Sequence, residues 1–276
     1  MPLSALALAL AAAFVHALWN VLLARARDPE AATAVALLVA ELVFAPLTWA
    51  TWNVDASVWP FLVGTGLLQL AYFALLATAY RVAALSVVYP IARGTAPVLV
   101  LVAGVVALGH GTSVGQVAGV GLVALGVLLV RGVRSGAGHG AGRGTALGLL
   151  IAVCIATYTL VDKQGILHAG AVPYLELSML GPSIVYASAV MRVKGTRALR
   201  AEVGMPIVVA GIATFGAYCL VLLALQRSAA APVAAVRETS VVLTAILARR
   251  VLGEHVGPQR LAGAILVVAG IVLLGA

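Results

Sequence analysis

The sequence predicts an all-α membrane protein: ten transmembrane helices arranged as two inverted five-helix repeats around a central cavity. Three observations lead there: an overwhelmingly apolar composition, ten runs long enough to cross a bilayer, and a second half that echoes the first with its loop charges reversed. Of 276 residues, 63% are hydrophobic and 9% charged, and the mean hydropathy is +1.13. A soluble globule of this length could not cover itself with polar surface, so lipid must be its solvent.

A helix needs about 20 mainly apolar residues to cross the hydrocarbon core. The first run, 3–24, lacks the basic start and small-residue cleavage site of a secretory signal and reads as a retained helix. Runs 33–52 and 58–80 flank a short loop with Trp49, Trp52 and Trp59 beside it, an interfacial aromatic belt. Run 83–107 carries Pro90, Pro97 and the lone Arg93, and run 113–131 is spaced by glycines. The stretch GVRSGAGHGAGR, 132–143, reads as a flexible linker between a first unit, 1–131, and a second, 144–276. The second unit supplies runs 145–162, 172–191, 204–226, 231–250 and 258–275. No connection is long enough to hold a soluble domain. Cys154 and Cys219 fall inside spans and read as packing residues, with no disulfide or metal framework.

The net charge of +8 could point to nucleic acid, but its distribution points to a bilayer. Loops after odd-numbered spans hold Arg25, Arg27, Arg81, Arg131, Arg134, Arg143, Arg192, Lys194, Arg197, Arg200, Arg249, Arg250 and Arg260. Loops after even-numbered spans hold only Lys163 and Arg227. The positive-inside rule makes the first set cytoplasmic, which places both termini outside a cytoplasmic membrane.

Shifted by 144 residues, Arg93 falls on Arg237, Leu108-Gly109-His110 on Leu252-Gly253-Glu254, Gly119 on Gly263 and Gly126 on Gly270. A shift of 146 matches Tyr72 to Tyr218 and Arg81 to Arg227. Five spans per copy is an odd number, so the second copy enters the membrane from the opposite side. The loops agree: the one between spans 2 and 3 has no lysine or arginine, whereas its counterpart between 7 and 8 has four. Inverted repeats of this kind build many secondary transporters, with a solute site near the midplane between the halves.

FVHALWNVLLARARD at the start, VVYPIARGTAPVLV in span 4, ATYTLVDKQG in span 6 and VAAVRETSVVLTAILARRVLGEH in span 9 resemble EamA-type members of the drug/metabolite transporter superfamily. The resemblance covers essentially the whole chain, and Gly253-Glu254 at the end of span 9 is its more specific element. In the first unit His110 stands where that glutamate would be, so the copies are unequal there. The resemblance implies ten helices around a central cavity and transport of small metabolites such as amino acids, with export the expected direction.

His16, Trp19 and Asn20 stand at i, i+3 and i+4, so one face of the first helix presents an imidazole, an indole and an amide. That face suits a solute site or polar contacts between helices, and Tyr158 is the approximate counterpart of Trp19. Tyr89 and Arg93 are also four apart. Proline frees backbone groups that protein or water must satisfy, which turns this part of span 4 toward the cavity. Arg93 can hold a carboxylate or phosphate through its planar fork, or pair with Glu41, Glu176 or Glu238. Arg237 and Glu238 are neighbours about 100° apart on a helix, so one is expected to face the cavity and the other away. Glu41 and Glu176, near Pro46 and Pro182, are candidates for proton coupling or ion pairing, as is Glu238. Tyr72 and Tyr218 line the cavity or serve as packing aromatics. Gly115, Gly119, Gly121, Gly263 and Gly270 suit scaffold packing or a homodimer face.

There is no P-loop, no His-Glu-x-x-His and no Cys/His metal spacing, so neither covalent chemistry nor a cofactor or metal is expected. The leading reading is a secondary transporter, not an enzyme, that moves a small polar or amphipathic solute with an acidic group. Its partners are that small molecule and the lipid bilayer, not nucleic acid. A multidrug or lipid-linked solute flippase is the nearest alternative; a membrane-embedded enzyme or a structural subunit is more distant.

Overall fold

A computed structural model describes residues 1–82, 85–106, 109, 111–131, 141–243 and 258–275. Most of the expected linker, the second half of span 9 with Gly253 and Glu254, and His110 lie outside them, as does the side chain of Tyr89. The described residues form ten α-helices: α1 Leu3–Ala24, α2 Pro29–Ala50, α3 Trp59–Val82, α4 Leu85–Val106, α5 Val114–Arg131, α6 Ala141–Gly165, α7 Ala171–Glu202, α8 Met205–Arg227, α9 Ala230–Arg237 and α10 Pro258–Gly275. A single 3-10 turn, Ala56–Val58, precedes α3. Five stretches are long and apolar enough to cross a membrane: Leu3–Leu23, Pro29–Ala50, Ala56–Leu76, Gly142–Gly165 and Met205–Arg227.

Local chemistry explains where the helices differ from the apolar runs. α2 starts four residues before its run because Asp28 caps it, accepting from the amides of Glu30 (3.1 Å) and Ala31 (3.2 Å), with Pro29 preset for the first turn. α7 outlasts its run because a charged segment follows, across Gly195 at φ 79°, a backbone state that glycine alone adopts freely. The expected continuous helix 231–250 is corrected at its middle. α9 stops at Arg237, and the amides of Glu238 and Thr239 reach back three residues, to Ala235 and Val236, at 3.1 Å each. This tighter 3-10 spacing changes the direction of successive side chains.

Packing follows the repeat. α1 lies against α8 as α6 lies against α3, α4 against α6 as α9 against α1, and α2 against α8 as α7 against α3. Three pairs, α2–α7, α4–α9 and α5–α10, map onto themselves when the halves are exchanged. Each half therefore completes its packing through the other. Lipid offers no hydrophobic drive between helices, so close backbone approach must supply the attraction. At α5–α10, a Cβ on Gly126 would lie 2.6 Å from the carbonyl oxygen of Gly263, and one on Gly270 2.7 Å from that of Gly119. The glycine faces are thus used within the chain.

The loops join at both ends of α2 and α7. On the side of the odd-numbered loops, Lys194 Nζ bridges Asp28 (2.7 and 2.8 Å) and Glu30 (2.7 Å), and Glu202 accepts from the Asp28 amide at 3.0 Å. On the other side, the Asp55 amide donates to the His168 carbonyl at 2.8 Å and the Gly170 amide to that of Asn53 at 2.9 Å. Lys163 and Arg227, the cations of the sparsely charged side, donate to the carbonyls of Leu225 and Leu223 near the C-terminus of α8. Both cations meet the negative end of a helix dipole.

Candidate functional site

The centre of the molecule is a cluster of three charged side chains. Leu128 of α5 packs onto Gly94, where a Cβ would lie 2.8 Å from its side chain, and this holds α4 close while the adjacent Arg93 meets α9. Arg93 Nη1 lies 3.3 Å and Arg237 Nη2 3.4 Å from the same oxygen, Glu238 Oε1. Glu238 is fully buried, and Arg93 and Arg237 are 8% and 3% exposed. The expectation that Arg237 and Glu238 must face apart is corrected here. The backbone tightens after Arg237, where the Glu238 amide reaches the Ala235 carbonyl, and Arg237 Nη2 lies 3.4 Å from Glu238 Oε1.

Both distances exceed the usual 2.7–2.9 Å of a charge-assisted hydrogen bond. The cluster's own atoms Glu238 Oε2 and Arg237 Nε are buried without a hydrogen-bond partner, as are Thr239 Oγ1, His16 Nε2 and Trp19 Nε1. His16 and Trp19 stand edge to face, centroids 4.8 Å apart, and the charges of Arg93 and Arg237 reach His16. Asn20 donates instead to the His16 carbonyl within its own helix, at 2.7 Å.

The tyrosines form a second wall. Tyr158 and Tyr218 lie 6.3 Å apart and pack with Tyr72 against Val88, Ala92 and Ile155. Sequence reasoning missed the carboxylate behind them. Asp162, fully buried, accepts from Thr65 Oγ1 at 2.6 Å, Tyr174 OH at 2.9 Å and Tyr218 OH. Gly165 leaves the space the Tyr174 ring occupies. Four helices, α3, α6, α7 and α8, meet at this carboxylate, which lies within charge range of Arg237. The expected end of span 6 fell on Asp162, and its neighbour Lys163 made it look like a polar helix terminus. A buried partner set of three hydroxyls has no local sequence signal.

Glu41 and Glu176 are brought together at α2–α7. Ser183 Oγ donates to Glu41 Oε1 at 2.7 Å, and the two carboxyl groups are within hydrogen-bond reach of each other. Glu176 lies in the second turn of α7 and is only 7% exposed, so it is an interior group and not a helix-end residue. Neither carboxylate joins the arginines through a described contact.

A small depression lies between α4, α5, α6 and the first turn of α9, lined among others by Val100, Leu101, Gln116, Leu160, Ala230 and Pro232. Val100 is seven residues from Arg93, and Ala230 seven from Arg237, so the opening lies about 10 Å along the helices from the charged layer. Arg93, Arg237 and Glu238 are themselves buried.

The profile of the EamA-like transporter family matches residues 3–132 and again 142–276. The chain belongs to the EamA-like transporter family. Its match across both halves makes it a multi-pass transporter of the drug/metabolite transporter superfamily. A solved crystal structure of a protein, 17% identical, is similar over 99% of this chain and 96% of that one, with a TM-score of 0.80, which shows a shared fold. No curated protein matches the sequence significantly. Within this family fold, the self-symmetric α4–α9 contact carries Arg93 and Arg237, with Glu238 at the C-cap of α9.

Proposed function

We propose that this EamA-like transporter moves an amino-acid-like solute, carrying one acidic and one amino group, by alternating access across a cytoplasmic membrane. The observation that carries the reading is the shared Glu238 oxygen: two arginines converge on one carboxylate, beside the unpartnered Arg237 Nε donor and the unpartnered Glu238 Oε2 acceptor. A solute carboxylate takes the guanidinium donors, and the released Glu238 accepts the solute ammonium. In a buried layer of intermediate dielectric a charge pair 4 Å apart interacts by about 4 kcal/mol, enough to offset much of the solute's desolvation. Trp19, Tyr158 and Tyr218 offer aromatic surface and a few polar tips to the remaining part of the solute.

The sides of the membrane follow from the thirteen cations of the odd-numbered loops, and both termini then lie outside. Uptake of tritiated L-amino acids into proteoliposomes containing only the purified chain tests the reading. In a parallel thermal-shift screen, an amino acid at about 100 times its dissociation constant adds roughly 2.7 kcal/mol to the native state. A panel in which no amino acid raises the melting temperature or enters the vesicles would overturn the assignment.

A further inference from the structure

We propose that Glu41, Ser183 and Glu176 form a proton-binding site, separate from the solute layer, that couples proton movement to the cycle. Two carboxyl groups buried to 6% and 7% exposure lie within hydrogen-bond reach of each other, and each keeps one oxygen, Oε2, unpartnered. Two bare carboxylates at that separation in an apolar interior repel strongly, and a proton shared between them removes one charge and supplies the missing donor. Ser183 donates to Glu41 Oε1 and leaves the rest of the pair to that proton.

The groups around the pair leave the proton as the fitting ligand. Within α2 and α7 the other charged residues, Glu30, Arg192, Lys194, Arg197, Arg200 and Glu202, lie toward the ends, more than a helical turn away in sequence. On α8 the Cys219 thiol is within charge range of Glu176, and that helix's arginine, Arg227, closes its C-terminus. α1 offers His16, which lies within charge range of the arginines, and α3 offers Tyr72 among its described side chains. α7 also carries Tyr174, engaged with Asp162, and Tyr186, tilted against Phe73 with ring centroids 5.1 Å apart.

Position supplies the coupling. The pair lies in the self-symmetric α2–α7 contact, whose two ends are tied by the Asp28–Lys194 and Asn53–Gly170 contacts. Any rocking of one repeat against the other shears this contact, parts the carboxyls and exposes them to water, where the shared proton leaves.

Proton binding is tested without any solute, and the coupling half alone rests on the transport reading. Infrared spectra of the protein in liposomes, taken in acid and in alkaline buffer, are expected to show a carboxylic-acid carbonyl band that titrates. That band should disappear in the Glu41→Gln/Glu176→Gln double variant and shift in Ser183→Ala, which keeps both acids and guards against a misfolded double variant. A band unchanged in both variants, or a wild-type spectrum without one, overturns the site. For coupling, tritiated amino acid is followed in proteoliposomes with and without a pH gradient. The double variant should keep solute counterflow and lose gradient-driven accumulation; accumulation equal to wild type overturns the coupling. Wild-type protein that moves no amino acid sinks the proposed solute instead, while the infrared result still decides the proton site.

Discussion

A single buried oxygen, Glu238 Oε1, serves two guanidinium groups, and this residue-scale fact shows what sequence could reveal. Arg93 stood out because an arginine within an apolar run persists only where protein or water solvates it. Its pairing with Glu238 was one of three partners open from sequence. The choice depends on the turn after Arg237, which no pattern of apolar residues announces. Asp162 was less visible still. It satisfies its oxygens with hydroxyls from α3, α7 and α8, and chain separations of 97, 12 and 56 residues leave no local trace. Asp162→Asn removes the charge to which three hydroxyls donate and replaces one acceptor with a donor, so that one of those hydroxyls must reverse its hydrogen bond. The detergent-solubilised variant should lose about 2 kcal/mol, with one charge-assisted hydrogen bond counted at about 1.5–3 kcal/mol. Tyr218→Phe, which leaves the buried Asp162 Oδ2 without its described donor, should cost a comparable amount. An Asp162→Asn variant as stable as wild type would show that the three bonds contribute little.

At the scale of the element, the helices were legible and their ends were not. Apolar periodicity marks what lipid or protein covers, whereas Asp28 capping α2 and Gly195 ending the regular part of α7 are single-residue events. The glycine spacing of α5 and α10 was legible as a close-contact face, and the structure places the partner inside the chain. Gly126→Leu drives a side chain into the Gly263 carbonyl and Val267. Overpacking of this sort costs about 1–3 kcal/mol, and a fall in melting temperature with no rise in dimer content checks it. The loop contact behaves differently. The Lys194 ammonium holds the Asp28 carboxyl below its usual range, and Asp28 and Glu30 raise the Lys194 ammonium. The depressed Asp28 contributes stability above its unfolded pKa, lost as pH falls through the folded one. The raised Lys194 contributes below its own unfolded pKa, lost as pH rises through its folded value. Lys194→Ala should therefore cost at most about 1 kcal/mol near neutrality, because the pair is partly exposed, and nothing in strong acid. A cost that persists unchanged in acid would contradict the ion-pair account.

For the whole molecule, the ten-helix inverted repeat was readable because composition, loop charge and the 144-residue echo are global quantities that survive local error. The burial of the three central charges was not, since it depends on how the two halves lean together. A cysteine placed within 135–142 should be shielded from an impermeant thiol reagent in intact cells, while one added after Ala276 should react; the opposite pattern would reverse the orientation. The central claim is that Arg93 and Arg237 hold the acidic end of the solute, and equilibrium binding of tritiated amino acids to purified protein tests it most directly. Arg93→Lys and Arg237→Lys keep the charge but lose the planar fork. The account predicts binding by wild type and at least tenfold weaker binding, about 1.4 kcal/mol, in each lysine variant that remains folded. Unchanged affinity in both variants would contradict it.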